Sequence, residues 1–126
     1  MAAQPLVVMT AGGTGGHVYP ALAVALEMIE RGYRVAWIGT KAGLEHRVVP
    51  AAGLDIHYLP VRGVRGKSFF SKIMAVMYLA VSMVRVLLLL RKLRPSCIVG
   101  MGGYAAAPAG IAAWMLRKPL LIHEQN

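Results

Sequence analysis

Residues 6–29 read LVVMTAGGTGGHVYPALAVALEMI, and the changes of texture along this stretch decide the fold. Leu6 to Met9 is a continuous apolar run, the pattern of a strand covered on both faces. Four glycines then fall within the five residues from Gly12 to Gly16, more than a tight turn requires. Val18 to Ile29 carries apolar residues at helical spacing, with Glu27, Glu30 and Arg31 around its end. The unit is therefore strand, glycine loop, helix. Pro20 lacks the N–H that an interior helical position needs, so the helix is expected to begin near His17. The backbone N–H groups from about Gly16 to Tyr19 then lack intrahelical partners and point out of the positive end of the macrodipole, where an anion fits. A ligand-free βα turn is the alternative.

Working outward, the same rhythm repeats. Arg34 to Ile38 predicts a second strand, Gly39 to Gly43 its loop, Leu44 to Ala52 a short helix and Ile56 to Leu59 a third strand. A basic loop, Val61 to Lys67, leads into a long helix from about Ser68 to Leu93, closed by Arg94 and Pro95. Cys97 to Val99 predicts a fourth strand, Gly100 to Gly103 a second glycine loop, Ala106 to Leu116 a helix and Leu120 to His123 a fifth strand. Gly32 and Gly53 sit where helix C-termini need a left-handed residue. Alternating apolar strands and helices predict an α/β fold, a Rossmann-like parallel sheet with helices on both faces. The sequence ends after a strand with no helix to follow, so residues 1–126 are expected to be one domain of a larger protein.

Two nucleotide motifs fail. A dinucleotide fingerprint starting at Gly13 needs glycine where Val18 stands, and Gly39-Thr40-Lys41 replaces the acidic ribose ligand after the second strand. Gly66-Lys67-Ser68 resembles the end of a P-loop, but Val61 occupies the place of its first glycine. The second glycine loop, Gly100-Met101-Gly102-Gly103-Tyr104, should open on the same carboxyl edge of the sheet as the first, and two adjacent anion-accepting loops suit a diphosphate. Tyr104 either donates its hydroxyl to a ligand or packs over the loop. His17, at the mouth of the first loop, carries an imidazole, a group suited to proton transfer, and is either a base for an attacking hydroxyl or a helix cap. His46 and His57 fall outside any such constellation. The cluster His123-Glu124-Gln125-Asn126 lies at the same carboxyl edge.

Composition agrees with a heavily covered α/β domain. Hydrophobic residues are 57% and charged residues 15% of 126, which excludes disorder and calls for extensive burial or membrane contact. The net charge of +9 calls for an anionic partner: nucleic acid, a phosphate-bearing ligand or acidic lipid. All five acids, Glu27, Glu30, Glu45, Asp55 and Glu124, lie outside residues 56–123, whereas ten of the fourteen basic residues lie inside. Arg85 and the strands on either side argue against a membrane span by the long helix. Ser71, Tyr78, Ser82, Arg85 and Lys92 share one stripe of it, the expected outward face. That face is poor in polar groups, so the helix is expected either to lie on a bilayer or to be covered by a further domain. On the bilayer, Phe69, Phe70 and Met74 would be shallow anchors, and Arg62, Arg65, Lys67 and Lys72 headgroup contacts. No nucleic-acid-binding module is present. The single cysteine, Cys97, forbids an internal disulfide and is expected to be a buried small hydrophobe. The N-terminus shows no secretory signal, so the protein is expected in the cytoplasm.

Four motifs together, GGTGGHVYPALAVA at 12–25, RGVRGK at 62–67, GMGGYAAAPAGIAAW at 100–114 and HEQN at 123–126, resemble the N-terminal domain of the MurG family of GT-B glycosyltransferases. The resemblance implies the acceptor-side and membrane-binding half of a two-domain enzyme at the cytoplasmic face of the bacterial inner membrane, attached peripherally. It implies transfer of N-acetylglucosamine, with inversion, from UDP-GlcNAc to undecaprenyl-diphosphate-MurNAc-pentapeptide, converting lipid I into lipid II for the cell wall. It further implies His17 as the base, Thr14, Gly15, Gly16 and Asn126 at the donor, and Gly13, Gly102, Gly103 and Tyr104 at the acceptor diphosphate. No metal or other cofactor is expected, and these residues alone are expected to be inactive without the C-terminal domain. A non-catalytic, membrane-associated module that binds a lipid diphosphate is the alternative.

Overall fold

The computed structural model describes residues 4–12, 15–60, 68–102 and 106–122. Along them run β1 (Leu6–Thr10), α1 (Gly15–Glu30), β2 (Arg34–Gly39), α2 (Glu45–Ala51), β3 (Asp55–Tyr58), α3 (Phe69–Leu93), β4 (Cys97–Gly100), α4 (Ala106–Met115) and β5 (Leu120–Ile122). The strands form one parallel sheet in the order β3-β2-β1-β4-β5.

β1 is the centre of this sheet because it can be covered everywhere. It pairs with β2 from Leu6↔Arg34 to Thr10↔Ile38 and with β4 from Val7↔Cys97 to Thr10↔Gly100, and all five of its residues are buried. Successive side chains feed opposite cores, as strand geometry requires. Val7 and Met9 join Val18, Ala21 and Ala25 of α1 and Val49 of α2. Val8 joins Val86 and Leu90 of α3 with Ala109, Ala112 and Ala113 of α4. A strand lined on both faces this way has no polar side to show, hence its unbroken apolar run. On the edge strands β3 and β5, no residue is buried.

Helix ends follow local chemistry. Gly32 and Gly53 take φ of 94° and 80° just after α1 and α2, the left-handed conformation expected there. Ser68 caps α3 by accepting a hydrogen bond from the Ser71 N–H at 3.1 Å, and Arg94, at φ 51°, ends it before Pro95. α1 starts at Gly15, two residues before the start expected from Pro20, and Pro20 lies inside it. A proline there forfeits only the bond to the carbonyl of Gly16, an exposed residue in the first turn, so the helix tolerates it.

The outward stripe expected for α3 is corrected. Ser82 is fully buried together with Val86 and Leu90, and Ser71 and Tyr78 are half-buried; of the five, only Arg85 and Lys92 are exposed. α3 packs against α4, whose buried residues Ala109, Ala112 and Ala113 permit close approach, and at such a crossing small size outweighs polarity. The Ser82 hydroxyl finds no hydrogen-bond partner there. None of residues 69–81 is fully buried, and the buried residues of α3 all lie in its C-terminal half.

Candidate functional site

The strand order reverses at β1, whose neighbours are β2 on one side and β4 on the other. The loops that leave β1 and β4 therefore diverge to opposite faces and leave a crevice at their carboxyl ends, the place where open α/β sheets take ligands. Gly12 borders it from β1, Met101 and Gly102 from β4, and α1 opens into it. The two loops are stitched together by the Met101 N–H, which donates to the Thr10 carbonyl at 2.8 Å. The first loop is also held from below, where the Trp37 indole N–H donates to the Ala11 carbonyl at 3.0 Å.

His17 stands between the loops. Its Nδ1 lies 3.3 Å from the Gly12 carbonyl oxygen, which can only accept, so Nδ1 is the donor of this bond and Nε2 is the ring nitrogen left to accept a proton. The other side of the ring abuts Gly102. A Cβ there would come within 3.0 Å of Cδ2 and 3.1 Å of Nε2, and the φ of 104° is itself one that residues with side chains avoid. A half-buried imidazole with a fixed tautomer and an available Nε2 is equipped to take a proton from a hydroxyl brought into the crevice.

α1 has no acidic residue in its first turn, so nothing there offsets the positive end of its dipole. Gly15 and Gly16 begin the helix, and their N–H groups are among the four without intrahelical partners. Gly13, Thr14, Gly103, Tyr104 and Asn126 lie outside the described residues, as do Arg62, Arg65 and Lys67. Of the sequence-derived site, the structure thus brings together Gly15, Gly16, His17 and Gly102.

Glu45 was read in the sequence only as one of five acids, with no place at the site. This acid, in the first turn of α2, is fully buried at the same edge, and its Oε2 accepts from the Thr40 N–H at 3.0 Å with the Thr40 hydroxyl at 3.4 Å. The signal available for it was the pair Gly12 and Gly39 at the ends of adjacent strands, where missing side chains make room for another. His46 is exposed, and its Nδ1 meets the Tyr58 hydroxyl at 2.9 Å, with Lys41 over the Tyr58 ring. Among the described residues no cluster of His, Cys, Asp and Glu is placed to hold a metal. Cys97 begins β4 at the opposite edge of the sheet; it is half-buried, and that burial pushes its thiol above the usual range.

A second surface lies on α3. Phe69 and Phe70 are 80% and 71% exposed, and Ile73, Val76, Met77, Val84 and Leu88 are exposed with them. Lys72 is exposed, whereas Met74, expected as an anchor, is half-buried. α4 adds Ile111, Met115 and the 78% exposed Trp114, which the sequence reading passed over. By length and composition α3 is long and apolar enough to cross a membrane. β3 and β4, on either side of it, belong to one sheet, so a crossing would tear the domain apart.

A doubly wound parallel sheet, two glycine loops at the reversal of strand order and a base-competent histidine between them define a Rossmann-like half of a GT-B glycosyltransferase. The chain belongs to a particular family: residues 7–126 match the glycosyltransferase family 28 N-terminal domain. A protein of Stutzerimonas stutzeri named UDP-N-acetylglucosamine--N-acetylmuramyl-(pentapeptide) pyrophosphoryl-undecaprenol N-acetylglucosamine transferase is 51% identical over 126 residues, 100% of this chain and 35% of that protein. One of the same name from Thiobacillus denitrificans is 50% identical over 125 residues, 99% of this chain and 34% of that protein. The crystal structure of Acinetobacter baumannii MurG superposes with a TM-score of 0.83 at 36% identity, covering 97% of this chain and 35% of that one. The chain spans about a third of the length of the curated relatives it matches.

Proposed function

We propose that this chain is the acceptor-side half of an inverting transferase that moves N-acetylglucosamine from UDP-GlcNAc to the C4 hydroxyl of undecaprenyl-diphosphate-MurNAc-pentapeptide, turning lipid I into lipid II. The observation that carries the reading is the imidazole of His17, held by the Gly12 carbonyl and seated against Gly102. From there Nε2 takes the proton of the acceptor hydroxyl as its oxygen attacks the anomeric carbon and UDP departs. The N–H groups of Gly15 and Gly16 face the diphosphate, and the names of the relatives supply donor and acceptor. Thr14 and Asn126 join the donor side, and Gly13, Gly103 and Tyr104 the acceptor side.

The same reading places the protein peripherally on the cytoplasmic face of the inner membrane. Phe69, Phe70 and the apolar side chains after them dip into the bilayer, and Lys72 with Arg62, Arg65 and Lys67 meets anionic headgroups. The assay is sugar transfer by a full-length enzyme carrying this domain. His17→Ala is expected to lower kcat by about 10²- to 10⁴-fold. A kcat within about threefold of the parent would return His17 to a structural role. Residues 1–126 alone are expected to show no turnover above a protein-free blank, because the cleft needs a second wall.

A further inference from the structure

Among the described residues, the proposed chemistry leaves one fully buried acid, Glu45, without a task. Glu45 is one of only five acids in the chain, and no part of it is exposed. A buried carboxylate is costly unless polar contacts compensate, so its retention calls for a reason. From the first turn of α2 the side chain reaches back to the carboxyl edge of the sheet, where Oε2 accepts from the Thr40 N–H at 3.0 Å. It fills the volume that two glycines leave. A Cβ on Gly39 would lie 2.7 Å from its Cγ, and a Cβ on Gly12 would overlap Oε2. Gly12 is the residue whose carbonyl fixes the His17 tautomer. The two carbonyls before it are tied by Met101 and Trp37, and Glu45 supplies the backing at Gly12 itself.

We propose that Glu45 is a positioning residue for the transfer reaction: wedged between Gly12 and Gly39, it sets the height of the first glycine loop and thereby the aim of the His17 imidazole. The proposal rests on the reading of His17 as the base. An acceptor oxygen suits the place, because the Thr40 N–H donates to Oε2 at 3.0 Å and its hydroxyl lies 3.4 Å from the same oxygen. Without the wedge, the loop sinks into the gap and carries the imidazole with it. A displacement of about 1 Å at a catalytic group costs about 10²-fold in rate. The loss falls on kcat, since His17 takes the proton only in the transition state.

The test uses the full-length enzyme with UDP-GlcNAc and a soluble lipid I analogue, and four variants: Glu45→Gln, Glu45→Ala, Gly12→Ala and the double variant Gly12→Ala/Glu45→Ala. Glu45→Gln, which keeps the shape and one acceptor oxygen, is expected to stay within about threefold of the parent kcat. Glu45→Ala is expected to lose about 10²-fold in kcat with the KM for UDP-GlcNAc nearly unchanged. Gly12→Ala should lose comparably. The double variant should be more active per folded molecule than either single one, because the new methyl occupies the vacated space, with the recovery in kcat and the KM for UDP-GlcNAc unchanged. Each kcat is corrected for folded fraction by circular dichroism, and if Glu45→Ala does not fold, Gly12→Ala and the double variant carry the comparison. A folded Glu45→Ala at parental kcat, or a double variant no more active than Gly12→Ala, would overturn the proposal. Failure of the underlying reading is separately visible, as a parent that transfers no sugar or a His17→Ala variant at the parental rate.

Discussion

Replacing Phe69 and Phe70 together by serine isolates the proposed membrane contact from the fold. Both side chains stand at the N-terminus of α3, 80% and 71% exposed, so folding spends almost none of their apolar surface. Full burial of a phenylalanine is worth about 1.5–3 kcal/mol. Two rings with about three-quarters of that surface free, each inserted to about half its depth, contribute about 1–2 kcal/mol to partitioning, or about 5- to 30-fold. The double variant is therefore expected to bind anionic vesicles about 5- to 30-fold more weakly, with its unfolding free energy within about 0.5 kcal/mol of the parent. Leu90→Ala gives the opposite pattern. Leu90 is fully buried in the core beneath α3 and α4, so its truncation should cost about 2–5 kcal/mol of stability and leave vesicle binding of the folded protein alone. Co-sedimentation with neutral and anionic vesicles, at low and high salt, measures the binding. Salt screens the Lys72 side of the contact beyond a Debye length of about 10 Å at 0.1 M but not the aromatic side, so binding should weaken with salt and persist. Parental binding by Phe69→Ser/Phe70→Ser, or equal binding to neutral and anionic lipid, would refute the proposed surface.

Other substitutions test the core and the loop supports. Ser82→Ala removes a buried hydroxyl that has no partner and should leave stability unchanged or raise it by up to about 1 kcal/mol in urea titration; a loss of that size would show the hydroxyl to be satisfied. Trp37→Phe strips the Ala11 carbonyl, in a fully buried residue, of its donor and should cost about 1–3 kcal/mol by the same measurement. The Cys97 thiol is pushed up by burial, so its contribution to stability is complete below the pKa of the unfolded thiol and is lost as pH rises through the higher folded value. Between about pH 8 and 10 the parent should therefore lose thermal stability relative to Cys97→Ala, and parallel curves would contradict this.

The candidate site was legible in the sequence wherever its parts are neighbours along the chain. His17 follows four glycines within a few residues, so loop, helix start and imidazole announced themselves together. Gly102 could be assigned to the same edge because parallel strands align their carboxyl ends whatever lies between them. Glu45 escaped because its meaning arises from Gly12, 33 positions earlier, and Gly39, which are brought to it only by the pairing of β1 with β2. The orientation of α3 was misjudged for a related reason. A helical wheel ranks residues by polarity, whereas the alanine face of α4 selected by size, and Ser82 is small before it is polar. Trp114 went unread because an aromatic near a helix end is usually core, and here it is 78% exposed.

The geometry of α3 ties the two proposed surfaces together. A helix that links parallel strands runs opposite to them, so its N-terminus lies at their carboxyl edge. α3 has 25 residues, about 37 Å of helix, while β3 and β4 have four residues each, about 13 Å. Its buried residues, Ser82, Val86 and Leu90, all lie in the second half, so the excess length projects from the edge that carries Gly12, His17 and Gly102. Phe69, Phe70 and Lys72 occupy the projecting end. An acceptor anchored by a polyprenyl tail holds its diphosphate at headgroup depth and can reach only loops that are themselves brought to that depth. Anchors on the amino edge of the sheet would keep the protein on the bilayer and turn the crevice away from its substrate. On the proposed reading, anchors on the projecting end of α3 would bring the glycine loops to the headgroups, and an apolar helix of this length, overrunning its own sheet, would serve a lipid-linked acceptor.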